Sequence, residues 1–588
     1  MALAYDQPPH SGSHKGGSSA RALSDGKTKL PRTDAGTFVL HWLSASAVVA
    51  SLLTGLRIAA DDRDATISRL LSPILPQGEV WTVHFIAGLT LFFCAVAYVV
   101  YIRRAGLKAR IALKKARKLT MPIAAKHRWD AVNVLLHWAF FGLVVVLAGT
   151  GVALYAGYGG ALVSVHLGAA FGVLTYILCH LIGHFGYGGW RQLLRVFLPA
   201  SLVANHETRP KPALIAVMAA LPAAIAFGSL DFGTRDTLTV RAVTQPPKLD
   251  GVLDDAAWQQ ARPVFVRTMQ GANLGGTGES LVEIRAVHDA ERIYFAFRWE
   301  DPSRSLRRLP IVKQADGWHM TGHDAGSADV VDFYEDKFAV IFADRDAFGS
   351  GGVSHLGPKP VADKPPSLND RGLHYTTDGA IIDMWQWKSS RGGVLGTMDD
   401  MYIGPPQEPT PDQAARRARY QGGYWPDPGH GIYTYNFPFD GPGGYRTAFQ
   451  PMRLPKDLAA LQKAMGKFDM SDPDGSNEEG SVWWLNDENS VPYSKELDAT
   501  IPVGTVLPGV VLSGANEGDR GDLTTGAKWK DGHWTLEVSR KLKTGSKFDT
   551  DFTPGKLAYM WVSVFDHTQT RHTRHVRPVI MKMDGAAG

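Results

Sequence analysis

The chain has 588 residues, a formal net charge of +5 and only two cysteines. The length allows several domains, and the charge is too mild to argue for nucleic acid. Cys94 and Cys179 both lie in apolar runs, which excludes a disulfide framework in the polar half and CxxC metal centres. The average composition hides two halves. Residues 37–230 are strongly hydrophobic, whereas residues 235–588 are polar and rich in Gly, Pro, Trp and Tyr.

In chain order, residues 1–35 hold Gly, Ser, Lys and Arg with no long apolar stretch. They read as a disordered cytoplasmic tail rather than a cleavable signal peptide. Five apolar segments follow at about 37–59, 80–102, 131–156, 162–186 and 212–230, each long enough to span or nearly span a bilayer. The fifth is short and contains Pro222. GLKARIALKKARK, between the second and third, carries many Lys and Arg and no acid, so the positive-inside rule puts it and the N-terminus in the cytoplasm. Five crossings then carry everything after about 235 to the outer side, the periplasm of a Gram-negative cell. The expected domains are the tail 1–35, a bundle 36–200, a fifth helix with linker 201–234, and an outer domain 235–588.

The first four spans read as a two-helix unit used twice. LHWLSASAVVASLLTG (40–55) resembles LHWAFFGLVVVLAGTG (136–151), and VHFIAG (83–88) resembles VHLGAA (165–170). The repeat sets His41 and His137 near the cytoplasmic ends of helices one and three, and His84 and His166 near the outer ends of helices two and four. His166 and His180 are fourteen residues apart, close to four helical turns, so they share a face about 21 Å apart along the axis. Ionisable residues inside a span point to function. Neutral imidazole ligates haem iron, and two stacked haems would need ligands spaced in this way. With no CxxCH in the chain, covalently attached haem is excluded. Two imidazoles per iron leave no open position, so such a haem passes electrons and does not bind oxygen.

This segment resembles the bacterial di-haem cytochrome b family, which includes the membrane subunits of nickel–iron hydrogenases and formate dehydrogenases. The shared features are HW and a later TG in the first helix, His in the second, and H–x13–H–x3–H in the fourth. The resemblance implies an outer haem on His84 and His166 and an inner haem on His41 and His180. His137 lies at the depth of His41 and stands as an alternative inner ligand or as a wall of a quinone pocket. His184, at the helix end, reads as an interfacial residue or a propionate or quinone contact.

The outer half reads as β-rich, with alternating runs such as RIYFAFRWE, KFAVIFA, HWTLEVSR and LAYMWVSVFD, and a sandwich is expected. A loop at 343–380 interrupts the pattern, and a short amphipathic helix is expected around 455–467. PKLDGVLDDAAWQQARPV (247–264), YEDKFAVIFA, DMWQWKSSR, TMDDMY and WKDGHWTLEVSRKL together resemble the haem-binding subunit of ethylbenzene dehydrogenase and related molybdoenzymes. The resemblance implies a β-sandwich similar to a carbohydrate-binding module, holding one non-covalent b haem between a methionine and a lysine. Here His374 stands at the methionine's approximate position. His575 stands at the lysine's, with His572 as the close alternative and His355 as a third candidate.

The expected fold is thus an all-α transmembrane four-helix haem bundle with a fifth span, followed by an all-β outer sandwich. The expected function is electron transfer in the inner membrane through two bundle haems b and one outer haem b. Electrons would pass between the quinone pool and a periplasmic redox protein, a c-type cytochrome or a molybdoenzyme. Two alternatives stand beside it. One is a membrane-anchored receptor whose sandwich binds a ligand on Trp385, Trp387, Trp483 and Trp484 without an outer haem. The other is a self-contained quinol-linked oxidoreductase.

Overall fold

The computed structural model describes residues 33–62, 66–123, 125–194, 197, 199–200, 210–322, 329–359, 361, 364–367, 371–408, 420–438 and 447–585. The expected tail at 1–35 lies almost wholly outside the described residues. The described chain divides into two compact units. The first takes residues up to Gly55, Val83–Val152 and Ala161–Gly233; the second takes Leu56–Thr82, Ala153–Gly160 and Thr234 onward. The links between the first and second spans and between the third and fourth therefore fold with the β-rich unit. A simple cut in the sequence near residue 200 does not foresee that.

The helical unit is built from α1 (Ala35–Ala59), α2 (Val80–Arg104), α3 (Ala125–Tyr155), α4 (Ala161–Leu194) and α5 (Pro210–Gly233). All five are long and apolar enough to cross a membrane. A helix satisfies its own backbone polar groups, which is why the apolar runs take this form in lipid. The bundle core draws Ala47 and Val48 from α1, Leu91 from α2, Val144 from α3 and Val173 from α4. Ala216 of α5 packs with Ala97 and Tyr101 of α2. Pro222 lies inside α5 without ending it. α4 runs beyond the expected end near 186 but breaks at Gly188–Gly189, where Gly189 has φ +60° and ψ −155°. That backbone region is open to glycine and strained for other residues.

The β unit is organised by twelve strands: β1 (Thr237–Ala242), β2 (Val264–Thr268), β3 (Ser280–His288), β4 (Arg292–Glu300), β5 (Lys337–Ala343), β6 (Ile382–Lys388), β7 (Asp399–Ile403), β8 (Tyr424–Pro426), β9 (Thr524–Lys530), β10 (His533–Lys541), β11 (Leu557–Phe565) and β12 (Val579–Met583). Their order is β8-β7-β6-β5-β11-β12-β1-β3-β4-β10-β9, with β2 paired to β3. The two expected sheets are one curled sheet. β1 joins the halves, pairing in parallel with β12 through Thr237–Val240 and with β3 through Arg241 and Ala242. A strand that switches sheets makes such a corner.

The halves pack face to face. Trp299 of β4 stacks on Phe338 of β5 with ring centroids 4.7 Å apart, and Trp387 of β6 meets Trp534 of β10 at 4.8 Å. β5 is buried on both faces. Its second face carries Ala339, Ile341 and Ala343, which pack with Val353 from the long 343–380 segment. A strand covered on both sides reads as a continuous apolar run, as KFAVIFA does. The expected short helix is Leu458–Met465, capped by Asp457, whose side chain accepts from Ala460 N. Trp258 sits in the short helix Ala256–Gln260, fully buried, and donates Nε1 to Glu537 of β10 at 2.6 Å. The same carboxylate accepts from Gly251 N and Asp250 N at 2.6 and 2.9 Å. This ties the LDGVLDDAAW opening to the sheet.

Candidate functional site

Each copy of the internal repeat builds one histidine seat. In the first, Thr54 of α1 donates its hydroxyl to Ala50 O at 2.6 Å, so its oxygen is open to accept from His84 Nδ1 on α2, 3.1 Å away. Ser51 O also lies 3.1 Å from that Nδ1. A carbonyl can only accept, so Nδ1 carries the proton. In the second copy, Thr150 of α3 donates to Val146 O at 2.7 Å and accepts from His166 Nδ1 of α4 at 2.8 Å. Both imidazoles are thereby fixed with the lone pair on Nε2, the arrangement that a metal-binding histidine takes from its second hydrogen bond.

The residues after the threonines matter too. A Cβ on Gly55 would lie 3.0 Å from His84 Cε1, and one on Gly151 would lie 3.3 Å from His166 Cε1. The glycines make room for the rings. The two ring centroids are 6.4 Å apart. A metal bonded to one nitrogen of each ring at about 2 Å would hold the centroids roughly 6 Å apart. The separation would let both imidazoles hold one metal-bearing group. Thr54, Gly55, Thr150 and Gly151 were visible in the sequence only as the shared TG that closes each repeat.

A second cluster gathers on α3 and α4. His180 lies 5.3 Å from His137 and 4.4 Å from His184 between ring centroids, with Tyr176 at 5.2 Å. His137 is fully buried, and its Nδ1 donates to Asn133 O at 2.5 Å. α3 and α4 approach closely here, since a Cβ on Gly183 would meet Asn133 Oδ1 at 2.9 Å. His41 of α1 packs its ring against Trp42 at 5.7 Å and interacts electrostatically with both His180 and His184. Four of the helical histidines thus share one neighbourhood, and the ring in contact with His180 from a neighbouring helix is that of His137.

In the β unit, His374 lies on the short strand Leu373–His374, paired antiparallel with Ser354–His355. Its ring centroid is 6.0 Å from that of His572, with the planes 34° apart. His374 Nδ1 is buried without a hydrogen-bond partner. His572 rests on Phe565 at 4.8 Å and donates Nδ1 to Thr573 O at 2.7 Å, which leaves the lone pair on Nε2. Burial first, and then a neighbouring histidine (His355 for His374, His374 for His572) and nearby arginines, depress both imidazoles, His374 to about 4 and His572 to about 3. They are neutral at physiological pH, as ligands must be.

His575 is placed differently. Its Nε2 accepts from Val562 N at 2.9 Å and its Nδ1 donates to Arg577 O at 2.7 Å. Both ring nitrogens are engaged by backbone, so no lone pair remains for a metal. His355 is stacked on Tyr375 at 3.6 Å, with Nδ1 on Val353 O at 2.9 Å. Beside His374 and His572 stands a buried ionic knot. Arg371 and Arg574 bind the Asp61 carboxylate at 2.9 and 2.8 Å, and Arg571 donates to Asp61 O at 3.1 Å. Burial raises the Asp61 carboxyl, but the two guanidiniums outweigh it and hold the group well below its usual range. Trp385, Trp387 and Trp483 are fully buried in the cores. Three of the four tryptophans of the sugar-stacking alternative are therefore not surface residues.

A family model described as ethylbenzene dehydrogenase matches residues 255–577. The chain belongs to the ethylbenzene dehydrogenase family. A second model, described as prokaryotic cytochrome b561, matches residues 32–199. The expected fusion is therefore present, and the cytochrome b561 segment makes this a membrane protein of electron transfer that uses haem b. No curated protein matches the chain. Among solved structures, a family 9 carbohydrate-binding module from Caldicellulosiruptor kristjanssonii with glucose is 8% identical, covers 60% of this chain and 97% of its own, and has a TM-score of 0.22. The same module with cellotriose is 8% identical, covers 59% and 95%, and has a TM-score of 0.21. The histidine seats above fit the haem that the cytochrome b561 match implies, since they combine fixed tautomers, glycine clearance and a suitable separation.

Proposed function

We propose that the chain carries electrons between the quinone pool and a periplasmic redox protein, a c-type cytochrome or a molybdoenzyme. In this reading residues 36–200 form a cytochrome b domain with two haem seats, 201–234 a fifth helix and linker, and 235–588 a periplasmic domain with a third. The outer membrane seat is His84 with His166. The inner seat is His180 with His41, and the 5.3 Å approach of His137 to His180 favours His137 as the substitute ligand. The third seat is His374 with His572, in preference to His575, because both nitrogens of His575 are already bonded. Haem supplies one-electron exchange at its iron when bound. The chain's own residues fix the imidazole tautomers, exclude water and set the environment that tunes the potential.

The observation that carries the reading is the doubled seat, Thr54–His84 and Thr150–His166, with ring centroids 6.4 Å apart. Topology supports the orientation. Asp61, in the link after α1, is paired with Arg371 and Arg574. That pairing requires the link and residues after 234 to share one side of the membrane, as five crossings provide. The basic stretch from Lys108 to Lys118, on the other side, favours the cytoplasm there.

The test is reduction of the purified full chain by a quinol analogue in detergent, followed at the b-type α band. Rapid reduction that is lost in His84→Ala and His166→Ala is the expected result. No reduction of a haem-loaded wild type by quinol or by dithionite-poised quinone would overturn the reading.

A further inference from the structure

Along β6 and β7 lies a second group of buried charges that the redox reading does not use. Asp383 of β6, Asp400 of β7 and Asp549 each offer a carboxylate oxygen, and these oxygens lie within 4.8 Å of one another. Asp427 joins them: its N donates to Asp400 O at 3.1 Å, and its carboxylate interacts electrostatically with those of Asp549 and Asp383. Asp383 and Asp400 are 1% and 0% exposed, Asp427 is 2% exposed, and the Asp549 side chain is 1% exposed.

One cation is present. Arg540, fully buried, binds Asp383 Oδ2 at 2.7 Å and lies 3.7 Å from Asp549 Oδ1. It neutralises one carboxylate of four. Of the others' atoms, Asp400 Oδ2 and both oxygens of Asp427 are buried without any hydrogen-bond partner, as is Asp383 Oδ1. Both oxygens of Asp549 are buried in the same way, so six such oxygens belong to this group, and orphaned buried carboxylate oxygens are costly. Burial first, and then mutual repulsion, push Asp383, Asp400 and Asp427 above the usual carboxylate range. Without a counter-ion the group would have to hold protons at neutral pH.

We propose that Asp383, Asp400, Asp427 and Asp549 form a binding site for one calcium ion in the periplasmic unit. The donors are all oxygen, which excludes the softer metals that prefer nitrogen and sulfur. Two oxygens on one calcium, each at about 2.3–2.6 Å, stand up to roughly 5 Å apart, which matches the spacing of the Asp383, Asp400 and Asp549 oxygens. Magnesium demands shorter bonds and keeps several waters, which suits a buried cluster of carboxylates less well. The ion would tie the β6–β7 hairpin to β8, through Asp427 just after it, and to the Asp549 turn before β11.

The test uses the full chain in detergent, stripped with EGTA and dialysed against micromolar calcium, with metal counted by mass spectrometry. The proposal expects about one calcium per chain in the wild type, and at least a tenfold loss of affinity in Asp400→Asn and in Asp427→Asn. It also expects calcium to raise the thermal midpoint of the wild type but not of Asp400→Asn. Removing one repelling carboxylate should leave calcium-free Asp400→Asn at least as stable as the calcium-free wild type. No bound calcium in the wild type overturns the proposal, because wild-type counting does not depend on either variant folding. Wild-type affinity in both variants overturns it as well.

Discussion

Replacing Thr150 and Thr54 by valine, one at a time, separates a seat with one acceptor from a seat with two. Valine keeps the shape and removes only the hydroxyl. His166 Nδ1 is held by Thr150 Oγ1 at 2.8 Å. His84 Nδ1 has Thr54 Oγ1 and also Ser51 O, each at 3.1 Å. Loss of the partner that orients a metal-bound histidine costs about 10–100-fold in affinity, or about 1.4–2.7 kcal/mol. Thr150→Val should lose that much. Thr54→Val should lose about 1 kcal/mol or less, because the Ser51 carbonyl still accepts the hydrogen bond from Nδ1. The fold should survive in both, since interhelical hydrogen bonds in membranes average about 0.6 kcal/mol. The assay is haem transfer from the full chain in detergent to excess apomyoglobin, read at the Soret band. Equal losses in the two variants, or the larger loss in Thr54→Val, would refute the seat geometry.

Further outcomes concern the β unit. Burial holds the His575 imidazole at about 4 against an ordinary 6.5, so below pH 6.5 the unfolded chain binds the extra proton. This group alone should contribute no pH dependence above 6.5 and a loss of about 3 kcal/mol as the pH drops to about 4, on top of the losses from His374 and His572, which are depressed in the same way. His575→Gln should make the acid limb shallower by about that amount in urea titrations, and an unchanged pH slope would count against it. Asp61→Asn should destabilise the unit by about 3–5 kcal/mol, because it leaves the buried guanidiniums of Arg371 and Arg574 without their carboxylate; an unshifted urea midpoint would contradict this. Glu537→Ala strips the acceptor from Trp258 Nε1, Gly251 N and Asp250 N, at on the order of 1–3 kcal/mol for each orphaned donor. Tryptophan fluorescence on denaturation reads the loss.

The helices were legible because a bilayer span needs about 20 apolar residues, and the histidines stood out as ionisable groups within them. The repeat placed His84 and His166, but the roles of Thr54, Gly55, Thr150 and Gly151 depend on which helix faces which ring, and that is tertiary information. His137 is in the same position: its helical depth could be read, but its contact with His180 could not. In the β unit the alternating runs gave the strands. The single curled sheet was hidden, because the corner depends on β1 pairing with β12 through one half and with β3 through the other. His572 and His575 lie three residues apart in an irregular stretch. In extended chain a single residue decides which face a side chain takes, so no spacing rule separated the histidine with a spare nitrogen from the one with none.

The central claim is a chain of three b haems, and a pyridine haemochrome count on the purified full-length protein tests it most directly. The account predicts about three haems per chain in the wild type and in His575→Gln, and about two in His374→Ala and in His572→Ala. Two haems in the wild type, unchanged in all of these variants, would contradict it and leave the β unit without a redox centre.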